Sequence, residues 1–194
     1  EDSKIDLSKI SEEVLRKKSV PVLPEEINDE FRALLSEMFT TMDEANGVGL
    51  AAPQININKR FFVVTADDDV RRVFINPEII STSAELSEYE EGCLSIPKIY
   101  ETIVRPAKVT VQALDENGKH FTLDAEGLLA RIIQHENDHL DGIVFIDRGD
   151  AEFAKKAEET MKKRQARYEE KIKAKEAKER KIAAKKAAKE AKLK

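Results

Sequence analysis

The stretch "IIQHENDHLDG", residues 132–142, indicates the end of a helix that carries two histidines on one face. His135 and His139 lie four positions apart, so on a helix they are separated by only about 40° around the axis and can reach one small ion. Glu136 lies beside that face, where a carboxylate can act as a general base near a metal without binding it. The alternative is a pair of surface histidines with this spacing by chance. Since the chain has only three histidines, we favour a metal site.

A third metal ligand is expected, because catalytic metal sites usually have three protein ligands and one open position. No histidine follows His139, so the third ligand comes from upstream or from a downstream carboxylate. Upstream lies the only cysteine of the chain, Cys93, in "EEGCLSIP" (90–97). Its thiolate would complete a Cys–His₂ site. The alternative is a small buried apolar residue, the commoner fate of a free cysteine.

A third stretch, "NGVGLAAPQ" (46–54), combines glycines and alanines with a terminal amide, Gln54. Its backbone has little side-chain cover, so a substrate can approach it closely. Gln54 can donate a hydrogen bond to a developing negative oxygen. Taken alone, the stretch favours a structural turn. It lacks the GK[ST] and GxGxxG patterns of phosphate-binding loops.

The remaining pattern predicts an α+β domain with a separate tail. An amphipathic helix is predicted over 24–46, beginning at Pro24, and the histidine helix is predicted to begin near Asp124 as its N-cap. Between them we predict antiparallel strands and turns, with a short helix near the start, namely "RFFVVTA", "VRRVFIN", "AKVTVQALD" and "KHFTL", turns at "DDD" (67–69) and "ENG" (116–118), and the short helix at "SEEVLRK". Gly142 is expected to end the second helix.

Charge divides the 194 residues into two parts. Residues 1–150 carry 16 basic and 30 acidic side chains, a formal charge of −14, whereas residues 151–194 carry 17 and 8, or +9. We therefore predict a catalytic domain over 1–149 and a basic Lys/Ala/Glu-rich tail over 150–194, helical or partly disordered. A run of 18 apolar residues is missing, so we expect no membrane span. The single cysteine fits a reducing compartment.

"GVGLAAPQ", "EGCLS" and "QHENDH", in this order, resemble the three signature motifs of the peptide deformylases. The similarity extends over roughly residues 10–148. It implies an α+β fold in which antiparallel strands pack around a central helix bearing HExxH. It also implies a hydrolase that removes the formyl group from the N-terminal formylmethionine of newly synthesised polypeptides, in the cytoplasm or, after removal of a leader, in an organelle.

The resemblance also implies roles for individual residues. Cys93, His135 and His139 would bind one divalent metal, Fe²⁺ in the cell, with Zn²⁺, Ni²⁺ and Co²⁺ as alternatives. Metal-bound water would attack the formyl carbon with Glu136 as general acid and base. The other implied roles are an oxyanion site formed by Gln54 and the backbone N–H of Leu94, and a backbone pairing surface formed by Val48, Gly49 and Gly92.

Three further assignments stay open between function and structure. Leu128 and Ile132 could line a methionine pocket or belong to the ordinary core. Glu91 or Asp138 could orient a metal-binding histidine or form a structural ion pair, for instance with Arg105. The basic tail could bind the ribosome through ribosomal RNA phosphates, or could be a solvated helix without a partner.

Two other classes of protein compete with the deformylase interpretation. A zinc metalloprotease would also carry HExxH, but it normally has a downstream third ligand. A non-enzymatic module that binds ribosomes through its tail would not need Cys93, Glu136 and Gln54 together.

Overall fold

A computed structural model describes residue 5 and residues 12–93, 96–149 and 151–193. The chain divides into two compact units, residues 1–154 and 155–194. The helices of the described ranges are α1 Glu12–Leu15, α2 Asp29–Glu44, α3 Gly127–Leu140 and α4 Ala151–Lys192, with 3₁₀ turns at Pro24–Glu26, Ala52–Ile55 and Phe145–Arg148.

In the part of the chain that the structure describes, seven antiparallel strands form two sheets. They are β1 Gly49–Ala51, β2 Phe61–Thr65, β3 Arg71–Thr82, β4 Leu86–Cys93, β5 Ile96–Pro106, β6 Lys108–Leu114 and β7 His120–Glu126. One sheet has the order β1-β2-β3-β6-β7, and β4 pairs with β5 in a separate two-stranded sheet. The α+β prediction is confirmed.

The five-stranded sheet is covered on both faces, and strand β2 shows this directly. Phe62 and Val64 pack in one core cluster with Ile133 of α3. Phe61 and Val63 belong to a second cluster on the other side, which contains Met38 and Met42 of α2. Because both faces are buried, the strand is continuously apolar instead of alternating. Helix α3 is thereby placed against the sheet, with its histidines near the ends of β1 and β4.

Both turns predicted between strands are confirmed. The "DDD" turn joins β2 to β3 and contains Asp69 at φ +59°, and the "ENG" turn joins β6 to β7 through Gly118 at φ +77°. Gly142 follows the end of α3 at φ +74°, as expected of a helix-ending glycine.

The predicted start of the histidine helix near Asp124 was wrong. Asp124 lies in β7, where it accepts a hydrogen bond of 2.6 Å from Thr110 Oγ1 of β6. Strand pairing continues to Glu126, opposite Lys108, and α3 begins at Gly127, whose φ of +62° lets the chain turn. Cross-strand pairing therefore overrides the N-cap preference of the aspartate.

The first long helix also begins later than predicted. Pro24 opens the short 3₁₀ turn, and α2 begins after Asn28, whose Oδ1 accepts from the backbone N of Phe31 at 3.0 Å. Since an N-cap asparagine satisfies a helix N–H that would otherwise lack a partner, the start of α2 is fixed at this residue.

The tail prediction is confirmed in its helical character, since α4 extends over Ala151–Lys192. Its side chains from Lys171 to Leu193 are exposed. Within the described ranges, no helix combines the length and the apolar composition needed to cross a bilayer.

Candidate metal centre

The end of strand β4 lies against the buried face of α3, which brings the lone cysteine to both histidines. The ligand atoms of Cys93, His135 and His139 all lie within 4.8 Å of one another. Cys93 Sγ is 3.4 Å from Nε2 of His139. Of the two origins that the sequence left open for a third ligand, the upstream cysteine is the one that lies beside both histidines.

The charges within the donor set favour the thiolate form of the cysteine, which is the form that binds a metal. Burial raises the pKa of Cys93, but the two neighbouring histidines lower it well below its usual value. Burial lowers the pKa of His135, but hydrogen bonds with Cys93 and Glu91 raise it to about 10. A thiolate paired with imidazolium protons is a site where a cation can replace those protons. The three residues thus fit a soft or borderline divalent ion.

Glu91 fixes the orientation of one histidine. His135 Nδ1 donates to Glu91 Oε1 at 2.8 Å, which leaves Nε2 of that ring for a metal. Arg105 donates to both oxygens of Glu91, at 2.6 and 2.9 Å. Burial raises the pKa of Glu91, but hydrogen bonds from His135 and Arg105 lower it to about 2. Glu91 thus both orients a histidine and forms an ion pair with Arg105, the two alternatives that the sequence left open.

Asp138, the other acidic candidate, contacts arginines instead of an imidazole. Its Oδ2 accepts from Arg105 Nη1 at 2.8 Å, and Arg148 donates to its two oxygens at 2.9 and 3.1 Å. Arg105 therefore joins both carboxylates in one buried network.

Glu136 is a buried carboxylate, and its oxygen Oε2 has no hydrogen-bond partner among the described residues. The side chain belongs to a residue only 4% exposed, and Oε2 makes no hydrogen bond in that part of the chain. Burial raises the pKa of Glu136, and the positive charges of His135 and His139 offset part of that rise. A raised pKa favours proton uptake by this carboxylate, which is the property a general base needs.

Gln54 lies next to the cysteine and is 1% exposed. Its Oε1 accepts from the backbone N of Ala51 at 2.8 Å, which fixes the orientation of the amide. Its Nε2 then donates toward Cys93 Sγ at 3.3 Å. An amide donor is therefore present at the cluster, within the 3₁₀ turn that follows β1.

A cavity of about 500 Å³ opens onto this cluster. All five residues predicted to contact substrate line it, namely Val48, Gly49, Gly92, Leu128 and Ile132. Leu94 lies outside the described residues. Tyr89, Tyr100 and Arg131 also line the cavity, and none of them was predicted from the sequence. The alternation of "LSEYEEGC" could have identified Tyr89, because it lies two positions before Glu91 along the strand, which places both on one face.

Comparison with known proteins agrees with this geometry. A family model described as "Polypeptide deformylase" matches residues 5–157. The chain is 54% identical to a peptide deformylase of Treponema pallidum over 146 residues, 75% of this chain and 88% of that protein. It is also 54% identical to peptide deformylase 1 of Clostridium perfringens over 137 residues, 70% and 91% of the two chains.

Solved structures give the same result. A peptide deformylase of Synechococcus elongatus, in complex with actinonin, superposes with a TM-score of 0.72 at 44% identity, covering 76% of this chain and 82% of that one. A peptide deformylase of Legionella pneumophila superposes with a TM-score of 0.72 at 43% identity, covering 79% and 90%. With the signature stretches, the fold and these relatives in agreement, the chain belongs to the peptide deformylase family.

Proposed function

We propose that Cys93, His135, His139 and Glu136 form the centre at which this chain acts on formylated polypeptides. The reaction of the family is removal of the N-formyl group from nascent chains, with release of formate. The observation that carries the assignment is the unpartnered, buried Oε2 of Glu136, a residue that lines the same cavity as Cys93 and His135. A buried carboxylate without a partner is costly, so its presence at this position supports a role in proton transfer.

The chemistry divides between the bound ion and the protein. A divalent ion bound by Cys93, His135 and His139 would supply Lewis-acid chemistry, polarising the formyl carbonyl and acidifying water near neutral pH. Glu136 takes one proton from the attacking water and delivers it to the amine nitrogen as the carbon–nitrogen bond breaks. The products are formate and a polypeptide with a free α-amino group.

Gln54 is proposed to stabilise the negative oxygen that develops on the formyl group. Support comes from its oriented Nε2, which lies next to Cys93. The backbone N–H of Leu94 is proposed as a second donor on the basis of the family resemblance. Such donors act on charge that exists only in the transition state.

The cavity suits an extended peptide with one apolar side chain. Val48, Gly49 and Gly92 are proposed to pair with the substrate backbone, which allows recognition of many sequences. Leu128 and Ile132 of α3 are proposed to contact the methionine side chain. Both line the cavity, which supports this assignment, and Ile132 also belongs to the core cluster against which Leu128 packs.

We infer that the native ion is Fe²⁺, with Zn²⁺, Ni²⁺ or Co²⁺ as substitutes. One thiolate and two imidazoles suit all four ions, and the choice among them follows the family resemblance. Because the substrate is made where translation starts with formylmethionine, we propose that the enzyme acts in the cytoplasm or in an organelle.

Formate release from formyl-Met-Ala-Ser, measured on anaerobically prepared protein, tests the assignment. Metal content is measured on the same sample, and an acetylated longer peptide serves as the control. Formate release with about one metal ion per chain is expected for a three-ligand site. Cleavage inside the control peptide would support a metalloprotease, and absence of both metal and formate would support a binding module.

The basic tail is proposed to bind the ribosome through RNA phosphates. Residues 171–194 carry 11 basic and 3 acidic side chains, whereas residues 151–170 carry 6 and 5. Replacing Lys185, Lys186 and Lys189 with glutamine is expected to weaken ribosome binding and its salt dependence. The matched control replaces Lys155, Lys162 and Lys163 in the less basic part. Equal effects of the two triple variants, or none, would contradict a site in the terminal part.

A further inference from the structure

We propose that Arg131 is a positioning residue that fixes the β4–β5 sheet, one wall of the substrate cavity, against α3. The proposal rests on the proposed site and deepens it. Arg131 would set how tightly the first side chain of the substrate is bound, without contacting the ligand cluster itself.

The guanidinium of Arg131 joins three elements at one point. Nη2 donates to the backbone O and the Oγ of Ser87 in β4, at 2.7 and 2.9 Å. Nη1 donates to the backbone O of Ile103 in β5 at 3.0 Å, and also to Oε2 of Glu91. Arg131 is only 5% exposed, so water competes little for these hydrogen bonds.

The β4–β5 sheet is a two-stranded arm that continues the β3–β6 ladder through Ser83 N to Lys108 O and Ala107 N to Glu85 O, both at 2.9 Å. In the described part of the chain, neither β4 nor β5 pairs with a strand of the five-stranded sheet, so side chains must hold the arm against α3.

Other side chains also connect this arm to α3, and two of them lie at the same end as Ser87, since Ser87 pairs with Arg105 and Leu86 pairs with Pro106. Glu91 bonds to His135, Arg105 bonds to Asp138, and Gln134 Nε2 donates to the O of Pro106 at 2.9 Å. Among the described residues, Arg131 is the helix side chain whose hydrogen bonds reach Ser87.

Tyr89 links this connection to the substrate. It follows Ser87 by two residues and lines the cavity together with Arg131. The guanidinium carbon of Arg131 lies 5.7 Å from the centre of the Tyr89 ring, within reach of a cation–π contact. The ring is otherwise largely open to solvent, since Tyr89 is 54% exposed. Loss of Arg131 would therefore loosen the cavity wall at Tyr89.

Replacement of each of the two arginines that bind Glu91 should thus have a different effect. Arg105 bonds to both oxygens of Glu91 and to Asp138, so it supports the carboxylate that orients His135. Without Arg131, Glu91 retains both hydrogen bonds from Arg105 and its bond with His135. Lysine cannot replace Arg131 fully, because one ammonium group cannot reproduce the planar set of donors that contacts both strands.

Steady-state kinetics of Arg131→Met, Arg131→Lys and Arg105→Met test the proposal, with formyl-Met-Ala-Ser and formyl-Ala-Ala-Ser as substrates. For Arg131→Met we expect KM for the methionine peptide to rise about tenfold, with kcat within about threefold of the wild type. Discrimination against the alanine peptide should decrease, and metal content should stay at the wild-type level. Arg131→Lys should give an intermediate KM. Arg105→Met should instead lower kcat and metal content.

Three outcomes would overturn the proposal. The first is a lower melting temperature of Arg131→Met with KM and discrimination unchanged, which indicates a purely structural role. The second is loss of metal and kcat with KM unchanged. The third outcome applies if Arg131→Met does not fold, and it is a wild-type KM in Arg131→Lys. Wild-type protein that releases no formate would contradict the proposed function itself, so the two failures are distinguishable.

Discussion

Gly49 lies directly against the carboxylate of Glu136. A Cβ atom built on Gly49 would come within 2.7 Å of Glu136 Oε1 and within 2.9 Å of two side-chain carbons. Glycine at this position therefore leaves the space in which the buried carboxylate is placed.

We expect Gly49→Ala to displace the Glu136 carboxylate and to lower kcat about 100-fold, because misplacement of a reacting group by about 1 Å can cost that much. Gly127→Ala is the matched control. Its Cβ would contact nothing within 4 Å, but its φ of +62° disfavours alanine, so stability should fall by about 1 kcal/mol without loss of turnover. Unchanged kcat in Gly49→Ala would show that the carboxylate can move without consequence.

Glu136→Ala should lose activity by about 100-fold or more, since it removes the proposed proton carrier. Metal content should not change, because Glu136 is not one of the clustered ligands. The melting temperature should stay the same or rise, because the variant lacks the buried unpartnered Oε2. Formate assays, metal analysis and thermal unfolding of one preparation measure all three. Full activity in this variant would contradict this mechanism.

Gln54→Ala should lower kcat by roughly 100–1,000-fold, the usual effect of removing one oxyanion donor. The control is Gln134→Ala, another buried amide, which donates to the O of Pro106 and of Ala130 away from the cysteine. It should lose stability without a comparable loss of kcat. Equal rate losses in the two variants would contradict a specific role for Gln54.

Removal of Lys155–Lys194 should leave turnover of formyl-Met-Ala-Ser nearly unchanged, because the ligand cluster and the cavity lining lie within residues 1–154. Comparison of kcat/KM with that of the full chain measures this. A collapse of turnover or of cooperative unfolding would show that the catalytic unit needs the tail.

Glu91 should stabilise the fold in a way that depends on acid pH. Its pKa is about 2 in the folded chain against 4.5 for the free side chain. The ionised carboxylate therefore adds its full contribution to the free energy of unfolding above pH 4.5, and this contribution is lost as pH falls toward 2. The shift corresponds to about 3 kcal/mol. Urea unfolding of chelator-treated wild type and Glu91→Gln should give free energies of unfolding that differ most at pH 6 and converge near pH 2. A difference independent of pH would contradict this linkage.

The sequence predicted the elements whose pattern is local. The apolar run of β2, the "DDD" and "ENG" turns and Gly142 are each determined by neighbours in the chain. The ligand cluster could be predicted in part from the sequence, because the helical spacing of His135 and His139 fixes their common face.

The remainder depended on contacts between distant residues. β4 was missed because "LSEYEEGC" is too polar for a typical strand, and its partner β5 follows only after the cysteine. The start of α3 was misplaced because β6 extends β7 past Asp124. The contacts of Arg131 with Ser87 and Ile103 join residues 44 and 28 positions apart, and no local pattern predicts them.

The separation of Cys93 from the histidine helix has a consequence for the ion itself. Cys93 and His139 are 46 residues apart in the chain and lie on different elements. An ion that binds both acts as a crosslink that closes this loop, so its binding free energy adds to the stability of the fold. The ion that would supply Lewis-acid chemistry would then also hold the β4–β5 sheet against α3, in addition to the hydrogen bonds of Arg131, Glu91 and Arg105, so its loss would weaken one wall of the cavity.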